Sequence, residues 1–141
     1  MTDKLSRKDV AREMREMDFC FMATKSEAGA ISSRAMSNNA QVDWDGDNWF
    51  FSNGDTRKTR ELRADPAVTL SFPSKDTWIT LQGAATLYTD DPELFAEHWT
   101  DGLERWFEQG IETPGLTLIQ VRAERAEVNG RAGEGVVDLT A

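Results

Sequence analysis

One histidine and one cysteine in 141 residues leave little of the usual side-chain chemistry. A Ser or Cys nucleophile needs a histidine base nearby. His98 stands in ELFAEHWTDGLERW with no nucleophile at a suggestive spacing, and it reads as a surface or structural residue. Zinc sites draw mainly on Cys and His, so a metal centre is not expected. Cys20 lies in an apolar run and reads as a buried, inert thiol. Alone it forms no internal disulfide, which fits a reducing cytoplasm.

Long apolar runs are also missing. None approaches the ~20 residues of a membrane span, and MTDKLSRKDVAREMREM lacks the apolar block of a secretory signal. Cations are scarce: 16 basic residues face 25 acidic ones, a net charge of −9. Nucleic acid and anionic membrane surfaces both require a basic face, so neither is an expected partner. No Gly-rich phosphate loop is present, since Gly29, Gly46, Gly54 and Gly83 stand apart. Carboxylates are plentiful, but no two stand out as a pair for glycoside hydrolysis.

The size fits a single domain, residues 1–141. Leu5, Val10, Met14 and Met17 follow helical spacing and predict an amphipathic N-terminal helix within 1–17, centred on 6–16. DFCFMAT (18–24) reads as a strand buried on both faces, and AISSRAMSN (30–38) as the next. An Asp-Gly hairpin turn opens WDGDNWFFS (44–52). A short helix at 56–64 follows, stopped by Asp65-Pro66, and AVTLSF (67–72) alternates with Val68, Leu70 and Phe72 inward. TWITLQGAATLY (77–88) alternates too, with Gly83 marking a bulge or bend. Residues 92–109 read as one or two helices broken near Asp101-Gly102, and 116–128 as a final strand. The Gly-, Arg- and Glu-rich residues 129–141 read as a loose C-terminal tail. Six to seven strands on short turns, with a few flanking helices, predict a mainly β (α+β) antiparallel barrel or sandwich.

FFSNGDTRKTREL (50–62) carries the one chemical oddity. Arg57, Lys58 and Arg60 crowd the start of a helix, where free N–H groups already make the surroundings electropositive. An anion held by those N–H groups and side chains resolves the conflict; a solvated surface turn is the plainer reading. Five tryptophans point to an aromatic interface or a flat ligand. With few reactive side chains, redox chemistry would have to come from a bound cofactor.

DFCFMAT, SSRAM, WFFSNGDTRKTRELRADPAVTLSF, LQGAA, WTDGLERWFEQG and PGLTLIQVRAE follow one another in an order that resembles the pyridoxamine 5′-phosphate oxidase-like flavin-binding split barrels. Within them the chain resembles the general stress protein 26 group. The resemblance implies an antiparallel split β-barrel and a homodimer with FMN in the grooves between subunits. It assigns Arg34 to the FMN phosphate or ribityl chain, and the backbone at Ala35 and Met36 to the isoalloxazine. Phe51 and Ser52 would lie along the flavin rather than in the core, while Thr56, Arg57 and Lys58 would clamp the phosphate. Trp78 stands where the family often has a polar flavin contact, and Asn39 where true pyridoxamine-phosphate oxidases carry a basic residue. Trp106 would cover the flavin from the partner chain.

The activity implied is that of a cytoplasmic FMN-dependent oxidoreductase of unknown substrate, reduced by NAD(P)H or another donor, with no nameable catalytic acid or base. A flavin-sequestering stress protein with little turnover is the rival reading. A deazaflavin-dependent reductase ranks lower, because that cofactor's acidic tail needs a longer basic groove. Oxidation of pyridoxamine 5′-phosphate also ranks lower, because GRAGEGVVDLTA lacks the histidine of the oxidases' substrate-binding tail.

Overall fold

A computed structural model describes residues 5–37 and 44–140. Asn38 and Asn39 lie outside the described residues. Helix α1 (Arg7–Arg15) is opened by a reciprocal cap, in which the Ser6 hydroxyl accepts from the Asp9 N–H and the Asp9 carboxylate accepts from the Ser6 N–H. It buries Val10 and Met14. Strands β1 (Phe19–Lys25) and β2 (Ile31–Ser37) form an antiparallel hairpin. Then come β3 (Asp47–Asn53), α2 (Arg57–Ala64), β4 (Ala67–Phe72), β5 (Thr77–Tyr88) and α3 (Pro92–His98). Two 3₁₀ turns, Asp101–Arg105 and Gly110–Glu112, lead into β6 (Leu116–Gly130) and β7 (Gly135–Asp138).

The strands form one antiparallel sheet in the order β2-β1-β4-β5-β6-β3, with β7 also on β6. Among the described residues β2 and β3 end the sheet without pairing to each other, so the curled sheet is split there. The Asp45-Gly46 turn forms, with Gly46 at φ 117°, but the strand it opens pairs with β6 rather than with β2.

Two apolar clusters explain why β3 and β6 are buried on both faces. Met22, Phe50, Leu70, Leu81, Ile119 and Val121 belong to the barrel interior. On the other side Phe51, Phe95, Leu103, Phe107, Leu116 and Leu118 form a second core, into which the segment around α3 contributes its aromatics. β1 lacks such a cover. Cys20 and Met22 are buried, but Phe19 and Phe21 remain 43% and 41% exposed, which corrects the expectation of a strand covered on both faces. Burial pushes the Cys20 thiol up to about 12, consistent with an inert side chain.

The C-terminal segment is not loose. β7 pairs with β6 from Val128↔Gly135 to Arg125↔Asp138, and Val137 and Leu139 are buried. Composition hid a short apolar alternation, whose burial holds the segment against the sheet.

Candidate functional site

A cavity of about 300 Å³ opens between β2 and β3, where the sheet is split. Ala35 and Met36 form one wall, and Phe51, Ser52 and Asn53 the other. Thr56 and Lys58 close one end, and Leu103, Trp106 and Phe107 roof it. Each wall follows from strand geometry: two unpaired edges leave room that a paired ladder, ~5 Å apart, would close.

The basic end is built by the turn between β3 and α2. The Gly54 N–H donates to the Gly115 carbonyl at 2.8 Å. A Cβ on Gly54 would lie 2.9 Å from both that oxygen and Thr117 Oγ1, so only glycine lets the turn sit this close. Thr56 caps α2: its hydroxyl accepts from the Thr59 N–H at 3.4 Å and donates to the Asn53 carbonyl at 3.2 Å. Lys58 then enters the cavity half-buried. Burial holds its pKa below the ordinary lysine value, and the neighbouring Arg34 charge adds to the effect. Arg57 is exposed beside it. Arg60 pairs with Asp55 at 3.1 Å on the surface, an ordinary exposed ion pair.

Arg34 is placed differently from the expectation. Its guanidinium donates to the Met22 carbonyl at 3.1 Å, Thr24 Oγ1 at 2.7 Å and Ser32 Oγ at 2.9 Å. It also lies 3.7 Å from a Glu61 oxygen and does not line the cavity. Burial lowers its pKa, while Glu61 opposes that shift and Arg57 adds to it. Glu61 Oε1 accepts from Thr24 at 2.7 Å and from Ser32 at 3.2 Å, so this carboxylate ties α2 to β1 and β2. These hydroxyls, Thr24 first, hold its pKa below the ordinary carboxylate value, with Arg34 and Arg57 assisting. Glu61 was the residue the sequence reading missed. Its signal was available, since it stands one helical turn after Arg57 on α2.

A depressed carboxylate stabilises the fold above its unfolded pKa, and that contribution is lost as the pH falls through the folded value. Glu61→Gln should therefore flatten the acid side of the stability profile. Urea midpoints measured between about pH 3 and 6 test this, and an unchanged slope would show that the network contributes nothing to acid stability.

The remaining candidates divide. Ala35, Met36, Ser52, Thr56 and Lys58 line the one cavity together. Phe51 lines it too, yet its ring is buried in the second core, edge-on to Phe95 and Trp99. This corrects its placement outside the core. Trp106 is 70% exposed and lines the cavity of its own chain. Trp78 is not brought to the cavity. It is 50% exposed and pairs with Asn129, whereas the cavity end of β5 is Tyr88, level with Leu118 and Phe51.

An antiparallel barrel split between two strand edges, with a lysine entering the opening from a capped helix start, defines the split-barrel class. The chain belongs to the pyridoxamine 5′-phosphate oxidase-like family, whose model matches residues 6–138. A protein from Clostridium acetobutylicum related to general stress protein 26 has a similar fold. Its TM-score is 0.79 at 22% identity, over 96% of this chain and 97% of that one. A pyridoxamine 5′-phosphate oxidase-related, FMN-binding protein from Nostoc punctiforme gives 0.70 at 16% identity, over 96% and 90%. Protein bli-3 of Neurospora crassa is 29% identical over 125 residues, which is 81% of this chain and 59% of bli-3. The chain thus spans less than two thirds of that relative. No helix among the described residues is long and apolar enough to cross a membrane.

Proposed function

We propose that the cavity binds FMN, with the phosphate at Lys58, Arg57 and the start of α2, and that the protein is a flavin-dependent oxidoreductase. One observation carries the reading. Lys58 lines the cavity half-buried and makes no ion pair among the described residues. Such a cation is costly unless an anion joins it, and the helix-start N–H groups favour the same charge. The FMN-binding relative from Nostoc supports the same cofactor. Ala35, Met36 and Trp106 offer an apolar-walled slot for a flat ring.

Bound FMN would supply hydride chemistry. The chain's own residues would hold the phosphate, exclude water along the β2 and β3 edges and orient the ring. Arg34 and Glu61 would fix β1, β2 and α2 relative to one another rather than touch the phosphate. A homodimer fits the exposed aromatics Phe19, Phe21 and Trp78, which lie on the barrel face left without a helix.

The rival, a flavin-sequestering protein, is favoured by the lack of any acid or base besides Lys58 among the described cavity residues. Titration of the purified protein with FMN, followed by anaerobic reduction with NADH or NADPH and timed reoxidation by candidate acceptors, separates the two. We expect stoichiometric FMN binding and faster turnover than free FMN. Binding without acceleration by any acceptor supports sequestration, and failure to bind FMN removes both readings.

A further inference from the structure

A second cavity, also about 300 Å³, lies between α1, α3 and the first half of β3, and shares only Phe50 with the first. Its walls are unusually rich in flat rings. Trp44, Trp49 and Trp99 line it, and the His98 ring stacks on Trp49 at 3.7 Å between centroids, 18° from parallel. The indole N–H of Trp44 is already taken, donating to Asn48 Oδ1 at 2.8 Å. Trp44 therefore offers a ligand surface rather than a donor.

Two of the three charged side chains among the described lining residues are carboxylates. The cavity is lined by the last turns of both α1 and α3, the ends at which helix carbonyls are left over. Glu97 sits on the wall and makes no ion pair among the described residues. Asp47 is a second carboxylate, but it accepts from Gln120 at 3.0 Å and its charge is paired with Arg122 at 3.4 Å, which leaves Glu97 as the free one among the described residues. Arg15 is the one lysine or arginine among the described lining residues, and it is engaged in an interaction of its own. Indole faces carry negative potential and attract cations. The flat indole walls of Trp44 and Trp99, with Trp49 itself stacked on His98 and Tyr88, select a planar ligand, and Glu97 with the two helix C-termini selects a positive one.

We propose that this cavity is a binding site for a flat organic cation, of the class of N-alkylated heteroaromatic rings. Nothing in its lining requires a flavin next door, so it stands whether or not the first cavity holds FMN.

The test is calorimetric titration with 1-methylnicotinamide, a planar cation, against nicotinamide, its neutral counterpart of similar shape. The cation is expected to bind saturably and about tenfold more tightly than the neutral ring, as a desolvated cation–aromatic contact implies. Glu97→Gln, at an exposed position with no ion pair to lose among the described residues, should weaken the cation about threefold and leave nicotinamide unchanged. Trp49→Leu should weaken it about tenfold; if that variant does not fold, Glu97→Gln decides alone. Added FMN should not displace the cation. Equal affinity for the two rings, an unchanged Glu97→Gln variant, displacement by FMN, or no saturable binding would each overturn the proposal.

Discussion

Replacing Arg57 and Lys58 together with Ala is expected to lower FMN affinity a hundredfold or more, with little change in thermal stability. Hydrogen bonds to charged groups are each worth ~1.5–3 kcal/mol, and a phosphate dianion would lose two cationic donors at once. The fold loses little, because Arg57 is exposed and Lys58 makes no ion pair among the described residues. Relief of a half-buried charge even works slightly in its favour. Quenching of FMN fluorescence during titration gives the affinity, and a melting curve gives the stability.

The same clamp has a pH signature. Lys58 is held below the ordinary lysine value, and a dianion needs it charged. Affinity should therefore be full on the acid side of that depressed value and fall as the pH rises through it. In Lys58→Ala this alkaline loss should disappear. If the double variant binds FMN as well as the wild type, the phosphate does not sit at the start of α2.

The largest loss of stability is expected from Gly83→Ala. At this point the register between β5 and β6 shifts: Gln82 faces Arg125, but Gly83 faces Ala123. Glu124 is skipped, and its carbonyl instead accepts from the Leu139 N–H at 2.9 Å. A Cβ on Gly83 would run into the Arg122 carbonyl oxygen and the Ala123 Cα. Both are backbone, so no side chain can swing aside; the strands must separate or the bulge must move. Overpacking of this kind costs about 3 kcal/mol or more, and the urea midpoint should fall accordingly. A loss under about 1 kcal/mol would mean that the bulge shifts freely and that its position does not matter.

Local pattern made much of this legible in advance. Val68, Leu70 and Phe72 alternate into the core as read, because a strand with one wet face needs a period of two. The helices read at 6–16 and 56–64 do start there, and the structure adds that Ser6 and Thr56 cap them with hydroxyls that satisfy N–H groups the helix itself cannot. The bulge at Gly83 was visible as a glycine interrupting an otherwise regular strand. The crowding of Arg57, Lys58 and Arg60 at the start of α2 was visible too, though not that Arg60 pairs with Asp55.

Long-range partners were not legible in the same way. An Asp-Gly turn states that the chain reverses, not which strand its exit will meet, and β3 goes to β6. Residues 129–141 look loose by composition, because the value of Val137 and Leu139 depends on the surface β6 offers them. Arg34 shows the limit most clearly. Alternation put it on the same face as Ser32 and Met36, which is where it lies, half-buried with both. Whether that face met a phosphate or a carboxylate depended on α2 bringing Glu61 across from 27 positions further along the chain. The amino-acid sequence by itself determined the elements, the inward faces and the cluster of cations at the start of α2, all set by contacts within a few residues. Only the tertiary structure decided which strand edges stay unpaired, which cation meets Glu61 and which makes no ion pair among the described residues, because those outcomes depend on groups that folding alone brings together.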